Sequence, residues 1–139
     1  MDPPMTPNAN IETMPALLVV EDEPLIRMDL ADCLRGQAFE VVEASGPAEA
    51  RALLASAANV ACVLTDLHMP YREDGLTFLQ WLAAERHDLP VFVASGVPDS
   101  IDMAKRENPK IAGVFEKPYR PDAIAHAVKA LLERRKDGA

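Results

Sequence analysis

The sequence predicts an α/β domain: a doubly wound, five-stranded parallel sheet with five helices. Two observations in its 139 residues carry this. Short continuous apolar runs recur along the chain, each followed by apolar residues at helical spacing. This pattern suits strands covered on both faces, alternating with helices. In addition, three of the runs end abruptly in charge. They are Leu17-Leu18-Val19-Val20-Glu21-Asp22-Glu23, Ala61-Cys62-Val63-Leu64-Thr65-Asp66-Leu67-His68-Met69-Pro70 and Val114-Phe115-Glu116-Lys117-Pro118. Right-handed crossovers leave few topologies, and covering both sheet faces requires the winding to reverse once. The strand order 2-1-3-4-5 does this and sets the first and third strands side by side at the switch point.

Each element has its own reason. Residues 1–14 carry Pro3, Pro4 and Pro7 with few large apolar groups, and are expected to be a disordered tail. The domain then runs over 15–136, leaving 137–139 as a short tail. Leu17–Val20 is the first strand. Pro24 suits the first turn of a helix whose buried stripe is Ile26, Leu30, Cys33 and Leu34, closed by Gly36. Phe39–Glu43 is a second, edge-like strand. Pro47 opens a helix with Ala50, Leu53, Leu54 and Ala57 inward. Val60–Thr65 is the third strand and Met69–Asp74 a loop. Leu76, Leu79 and Leu82, with Phe78 and Trp81, mark the third helix. Pro90–Ala94 is the fourth strand, ending at Ser95-Gly96. Pro98–Arg106 is a weakly apolar helix that stops before Asn108-Pro109. Ile111–Glu116 is the fifth strand. Pro121 opens the last helix, with Ile124, Val128, Leu131 and Leu132 on one face and Arg134, Arg135 and Lys136 at its negative end.

The totals exclude several classes. A formal charge of −8 repels nucleic acid and anionic membrane, so proteins and cations are the expected partners. No apolar run reaches the length of a membrane span. Met1–Met14 has neither a basic start nor an apolar core, so no signal peptide is read there and the cytoplasm is the expected location. Cys33 and Cys62 lie inside apolar patterns without metal-ligand spacing and read as reduced, buried thiols.

Taken singly, the charged residues have ordinary readings. Asp66 could cap a turn, Glu21-Asp22-Glu23 could favour a helix start, and Lys117 or His68 could be solvated. Ser95 before glycine could simply turn the chain. Together they differ, because all fall at carboxyl ends of strands, where open α/β sheets bind ligands. Glu21, Asp22 and Asp66 would put three carboxylates at one sheet edge, a repulsive arrangement unless something neutralises it. Mg²⁺ suits a few carboxylates with waters and phosphate oxygens. Lys117 adds a point charge for the same oxygens and Ser95 a hydroxyl. Asp66 is then either a metal ligand only or a nucleophile toward phosphorus.

These residues carry a resemblance. Val19-Val20-Glu21-Asp22-Glu23, Thr65-Asp66-Leu67-His68-Met69-Pro70, Ala94-Ser95-Gly96 and Glu116-Lys117-Pro118 occur in the order, and with the intervening elements, of the receiver domain of two-component response regulators. The chain resembles that family over about residues 15–136. The resemblance implies the flavodoxin-like fold and assigns roles position by position. Asp66 matches the phosphoacceptor. Asp22 matches a direct Mg²⁺ ligand, Glu21 an acid acting on Mg²⁺ through water, and His68 the residue whose backbone carbonyl binds the metal. Ser95 and Lys117 match the hydroxyl and the cation that close on the phosphoryl group, and the Lys117–Pro118 bond is usually cis in the family.

Two departures stand out. The loop from Asp66 to Gly75 is one residue longer than is common, the extra length lying in Tyr71-Arg72-Glu73-Asp74. Val114 occupies a position that is often tyrosine or phenylalanine.

The implied partners are a histidine kinase or histidine phosphotransfer protein, and a downstream protein on the face of the fourth helix, fifth strand and fifth helix. A phosphorylation-dependent homodimer is left open. The chain is expected to be a stand-alone, single-domain receiver rather than an enzyme acting on outside substrates, its only turnover being autodephosphorylation. Two rivals remain: a phosphatase forming an aspartyl phosphate, for which His68 stands where a second acid is usual, and a binding module that is never phosphorylated.

Overall fold

The computed structural model describes residues 15–56, 59–69, 72–96 and 98–138. Strands and helices alternate: β1 (Ala16–Val20), α1 (Pro24–Gly36), β2 (Glu40–Ala44), α2 (Pro47–Ser56), β3 (Val60–Asp66), α3 (Arg72–Glu85), β4 (Val91–Ser95), α4 (Pro98–Glu107), β5 (Ile111–Glu116) and α5 (Pro121–Gly138). All neighbouring strands pair in parallel, in the order β2-β1-β3-β4-β5. This is the predicted doubly wound, flavodoxin-like sheet.

Strand alternation makes two apolar layers. On β1, Leu18 and Val20 enter a layer with Ala50 and Leu54 of α2, Phe78, Leu79 and Leu82 of α3 and Ala104 of α4. Leu17 and Val19 enter the opposite layer, with Leu30 and Leu34 of α1 and Ile124, Ala125 and Val128 of α5. Every β1 and β4 residue is buried, as continuous apolar runs require. Each fully buried Leu or Val contributes about 1.5–3 kcal/mol against unfolding, so these layers, rather than surface ion pairs, hold the sheet.

The boundaries moved in informative places. Gly36 was expected to close α1, yet it is the last helical residue and the left-handed position falls on Ala38, at φ 72°. Phe39 explains it. Its N–H returns to Leu34 O at 3.3 Å while its ring is buried in the α1–α5 layer, holding the turn in place. The spacing predicts a loop through Asp74, whereas α3 begins at Arg72. Asp74 thereby lies in the first turn, where the helix dipole favours a carboxylate. The last helix continues through Gly138, so residues 137 and 138 are helical rather than a tail. The expected N-terminal tail, Ala57 and the loop positions Pro70 and Tyr71 lie outside the described residues.

Gly75 shows why α3 can start so close to β3. A Cβ there would overlap the carbonyl oxygen, carbonyl carbon and Cα of Leu67, which are backbone atoms that cannot step aside. Only glycine lets the first turn of α3 lie on the chain leaving Asp66. Gly75→Ala is therefore expected to lower stability by about 2–4 kcal/mol. Gly46→Ala is the control, because nothing lies within 4 Å of its Cβ position, and should stay within about 0.5 kcal/mol. Urea denaturation of both variants checks this; equal midpoints would show that the contact is not limiting.

Candidate functional site

Register builds the site. Val20 pairs with Thr65 across β1 and β3, so Glu21 and Asp66 are the next residues on adjacent strands. Asp66 pairs with Ala94, and Ser95 pairs with Glu116. The carboxyl ends of β1, β3, β4 and β5 thus deliver Glu21, Asp66, Ser95 and Lys117 to one edge. Glu21, Asp66 and Ser95 are buried, while Asp22 is exposed beside them.

The carboxylates converge. One oxygen each of Glu21, Asp22 and Asp66 lies within 4.8 Å of the others. Lys117 reaches across from β5, its Nζ 2.9 Å from Asp66 Oδ2 and 3.6 Å from Glu21 Oε1. Its backbone N–H donates to Ser95 O at 2.9 Å, which fixes where the side chain starts. The Glu23 N–H donates to Glu21 Oε2 at 3.0 Å, and the His68 N–H donates to Asp66 Oδ1 at 3.3 Å. The structure therefore gathers Glu21, Asp22, Asp66 and Lys117 into direct proximity. His68 touches Asp66 through its backbone, while its imidazole Nε2 is buried with no hydrogen-bond partner.

Electrostatics follow from the charge count. Burial pushes the Glu21 carboxyl up from about 4.5 to about 7; the Glu23 N–H and Lys117 oppose the shift, and the Asp66 charge and a hydrogen bond with Asp22 add to it. Burial pulls Lys117 down, but its hydrogen bond to Asp66 and the charges of Asp66 and Glu21 leave it raised overall. Burial, then Glu21, Asp66 and Asp29, push the Tyr119 phenol up to about 12. Cys62 is also pushed to about 12 by burial, as an inert core thiol should be.

The donor set fits a hard divalent cation. All its donors are carboxylate oxygens, two from buried residues and one from an exposed residue, which suits an ion that keeps several of its own waters. The single lysine leaves the cluster short of positive charge.

One expectation about aromatics is refined. Val114 lies on β5 next to Phe115, whose ring packs on Phe92 at 5.8 Å between centroids, in the layer with α1 and α5. Strand alternation sends Val114 to the other face. Gly113 makes room for the ring pair, since a Cβ there would come within 2.8 Å of Phe92. Arg27 was not anticipated either. Its guanidinium donates to Glu21 O at 2.9 Å and pairs with Glu43 on β2 at 3.2 Å, and no spacing rule links those positions.

The site is thus an open parallel α/β sheet with an acidic cluster and a lysine at its switch point. Comparison with known proteins gives the family. The response regulator receiver domain model matches residues 17–129, and the chain belongs to that family. It is 30% identical over 127 residues to the transcriptional regulatory protein PdtaR of Mycobacterium tuberculosis, covering 91% of this chain and 59% of that one. It is 32% identical over 118 residues to the transcriptional regulatory protein SrrA of Staphylococcus aureus, covering 85% and 48%. The chain thus spans about half the length of these relatives. Among solved structures it is similar to the response regulator TrrA of Thermotoga maritima in complex with Mg²⁺-BeF, at 25% identity and a TM-score of 0.73, covering 85% of this chain and 99% of that one. Among the described residues, no helix is long and apolar enough to cross a membrane.

The raised Glu21 carboxyl has a measurable consequence. Its folded value exceeds its ordinary one, so between about 4.5 and 7 the folded state holds more protons than the unfolded. Its contribution is fully present below the lower value and lost as pH rises through the upper one. In chelator, stability should fall by about 3 kcal/mol from pH 4.5 to pH 8 on this account, and Glu21→Gln should flatten that part of the curve. Urea titrations across this range test it; an unchanged slope in the variant would assign the pH dependence to other groups.

Proposed function

We propose that this domain accepts a phosphoryl group on Asp66 in a two-component system and signals through protein contacts in the cytoplasm. The observation that carries the reading is the convergence of Asp66, Glu21, Asp22 and Lys117 at one switch point. The donor is the phosphohistidine of a kinase or phosphotransfer protein. The P–N bond breaks as an Asp66 oxygen bonds to phosphorus, and the electron pair returns to the imidazole. Asp22 would hold Mg²⁺ directly and Glu21 through water, with Asp66 and the His68 carbonyl completing the protein's share. Bound there, the ion would neutralise charge on the phosphoryl oxygens.

The chain's own groups do the rest. Lys117, paired with Asp66 before the transfer, re-pairs its ammonium with the phosphoryl oxygens. The Ser95 hydroxyl closes from β4. Because the Lys117 N–H is bonded to Ser95 O, a shift at either residue moves the β4–β5 edge, and with it the face of α4, β5 and α5. That face is the proposed site for a downstream protein, and pairing of two phosphorylated copies would use the same shift.

The start of α1 follows directly on Glu21 and Asp22, two members of the cluster with Asp66. Leu25, Ile26 and Met28 there are 76%, 42% and 50% exposed. Ile26 and Leu30 also line a cavity of about 470 Å³ with Lys117, Pro118 and Tyr119. Exposed apolar groups beside a reactive centre suit a protein donor better than a small molecule.

Treatment with phosphoramidate and Mg²⁺ should add one phosphoryl group, mapped to Asp66, and Asp66→Asn should abolish it. Undiminished labelling of that variant would sink the assignment, and turnover of simple phosphate esters would favour a phosphatase instead. For the docking surface, Leu25→Asp and Met28→Asp should each slow transfer from a phosphohistidine protein by about tenfold. Labelling by phosphoramidate should be unchanged. Equal slowing with both donors would mean damage to the site rather than loss of contact.

A further inference from the structure

We infer that Arg27 is a positioning residue for the acidic cluster: through Glu43 of β2 it clamps the Glu21–Asp22 peptide and so presets the cation site. This rests on the proposal that Glu21, Asp22 and Asp66 hold Mg²⁺.

The clamp has two jaws. The Glu21 N–H donates to Ala44 O at 3.0 Å, and the Glu21 carbonyl accepts from Arg27 Nη1 at 2.9 Å. Both sides of the residue are therefore tied toward the end of β2, the first directly and the second through Arg27. Arg27 is itself held at both ends. Its backbone N–H donates to Glu23 O at 2.9 Å, and its Nε donates to Glu43 Oε1 at 3.2 Å. The pair is only 18% and 26% exposed at its side chains, which protects it from full solvent screening. Glu43 is braced from the far side by Arg35, whose Nη2 lies 3.1 Å from Oε2 and also donates to Val41 O at 3.1 Å. A continuous run of charge-assisted bonds thus links the C-terminal half of α1, the β2 edge and the acidic loop.

The peptide that Arg27 grips joins two of the three clustered carboxylate residues. Holding its carbonyl restrains ψ of Glu21 and φ of Asp22, and so the backbone from which both side chains project. A guanidinium suits this task better than an ammonium, because its planar fork satisfies a carbonyl and a carboxylate together.

Electrostatics and positioning predict opposite signs, which makes the role testable. By charge alone, removing a cation near the cluster should tighten Mg²⁺ binding. By positioning, it should weaken it. Mg²⁺ affinity measured by calorimetry at 0.15 M KCl, with thermal unfolding in chelator as a check on folding, should show Arg27→Met about tenfold weaker than wild type. Affinity equal to or tighter than wild type would overturn the clamp. Arg27→Lys keeps the charge and the aliphatic stem, so charge alone predicts no change, whereas loss of the fork predicts about threefold weakening. It decides the matter if Arg27→Met does not fold, and unchanged affinity overturns the role. Absence of Mg²⁺ binding by wild type would instead overturn the metal reading of the site. Weakened binding in both variants, with wild type binding normally, is the result expected.

Discussion

The ion pair between Lys117 and Asp66 is the contact on which the rest of the site depends. Asp66 and Glu21 are nearly removed from water, at 5% and 4% exposure. An uncompensated buried carboxylate costs several kcal/mol, and two side by side cost more. One lysine, 2.9 Å from Asp66 and 3.6 Å from Glu21, serves both. It cannot neutralise both, and burial with the Asp66 charge pushes the Glu21 carboxyl up to about 7. The cluster is consequently short of positive charge, which suits it to the cation proposed above.

The deficit is tolerable because the fold does not rely on the site. Two apolar layers flank a sheet in which β1 and β4 are buried throughout. The exposed ion pairs elsewhere, such as Arg120 with Asp122, add little. Stability and charge strain are thus separated in space: the strain sits at the carboxyl ends of strands whose apolar bodies are well packed.

Much of this was legible in the residue order. A buried strand cannot carry a carboxylate in its middle, so an apolar run that stops at Asp66 or Glu21 marks where the strand meets solvent or a site. The reversal of winding then puts those two ends together. Contacts formed by tertiary approach were not legible. Arg27 and Glu43 lie sixteen residues apart on different elements, and either one alone reads as a solvated surface charge. Gly75 reads as the end of a loop because glycine is a poor helix former; its reason, contact with the backbone of Leu67, lies outside its own segment. The left-handed turn went to Ala38 rather than to a glycine because Phe39 is anchored in the core, and tertiary packing outweighed local preference.

The site also divides into a fixed and a yielding half. Glu21 is tied at its N–H and its carbonyl to β2 and Arg27, and β1 beneath it is fully buried. Lys117 lies on the other side, just past β5, an edge strand on which no residue is fully buried. A rearrangement that kept the carboxylates in place while moving the lysine would disturb little packing on β1 and would concentrate its effect on the β5 side. On the proposed reading, the acidic half stays matched to a cation while the lysine responds to what arrives at Asp66. The same asymmetry places Arg27 on the β2 side of the cluster, bonded to the Glu21 carbonyl, and the lysine on the β5 side, paired with the carboxylates themselves.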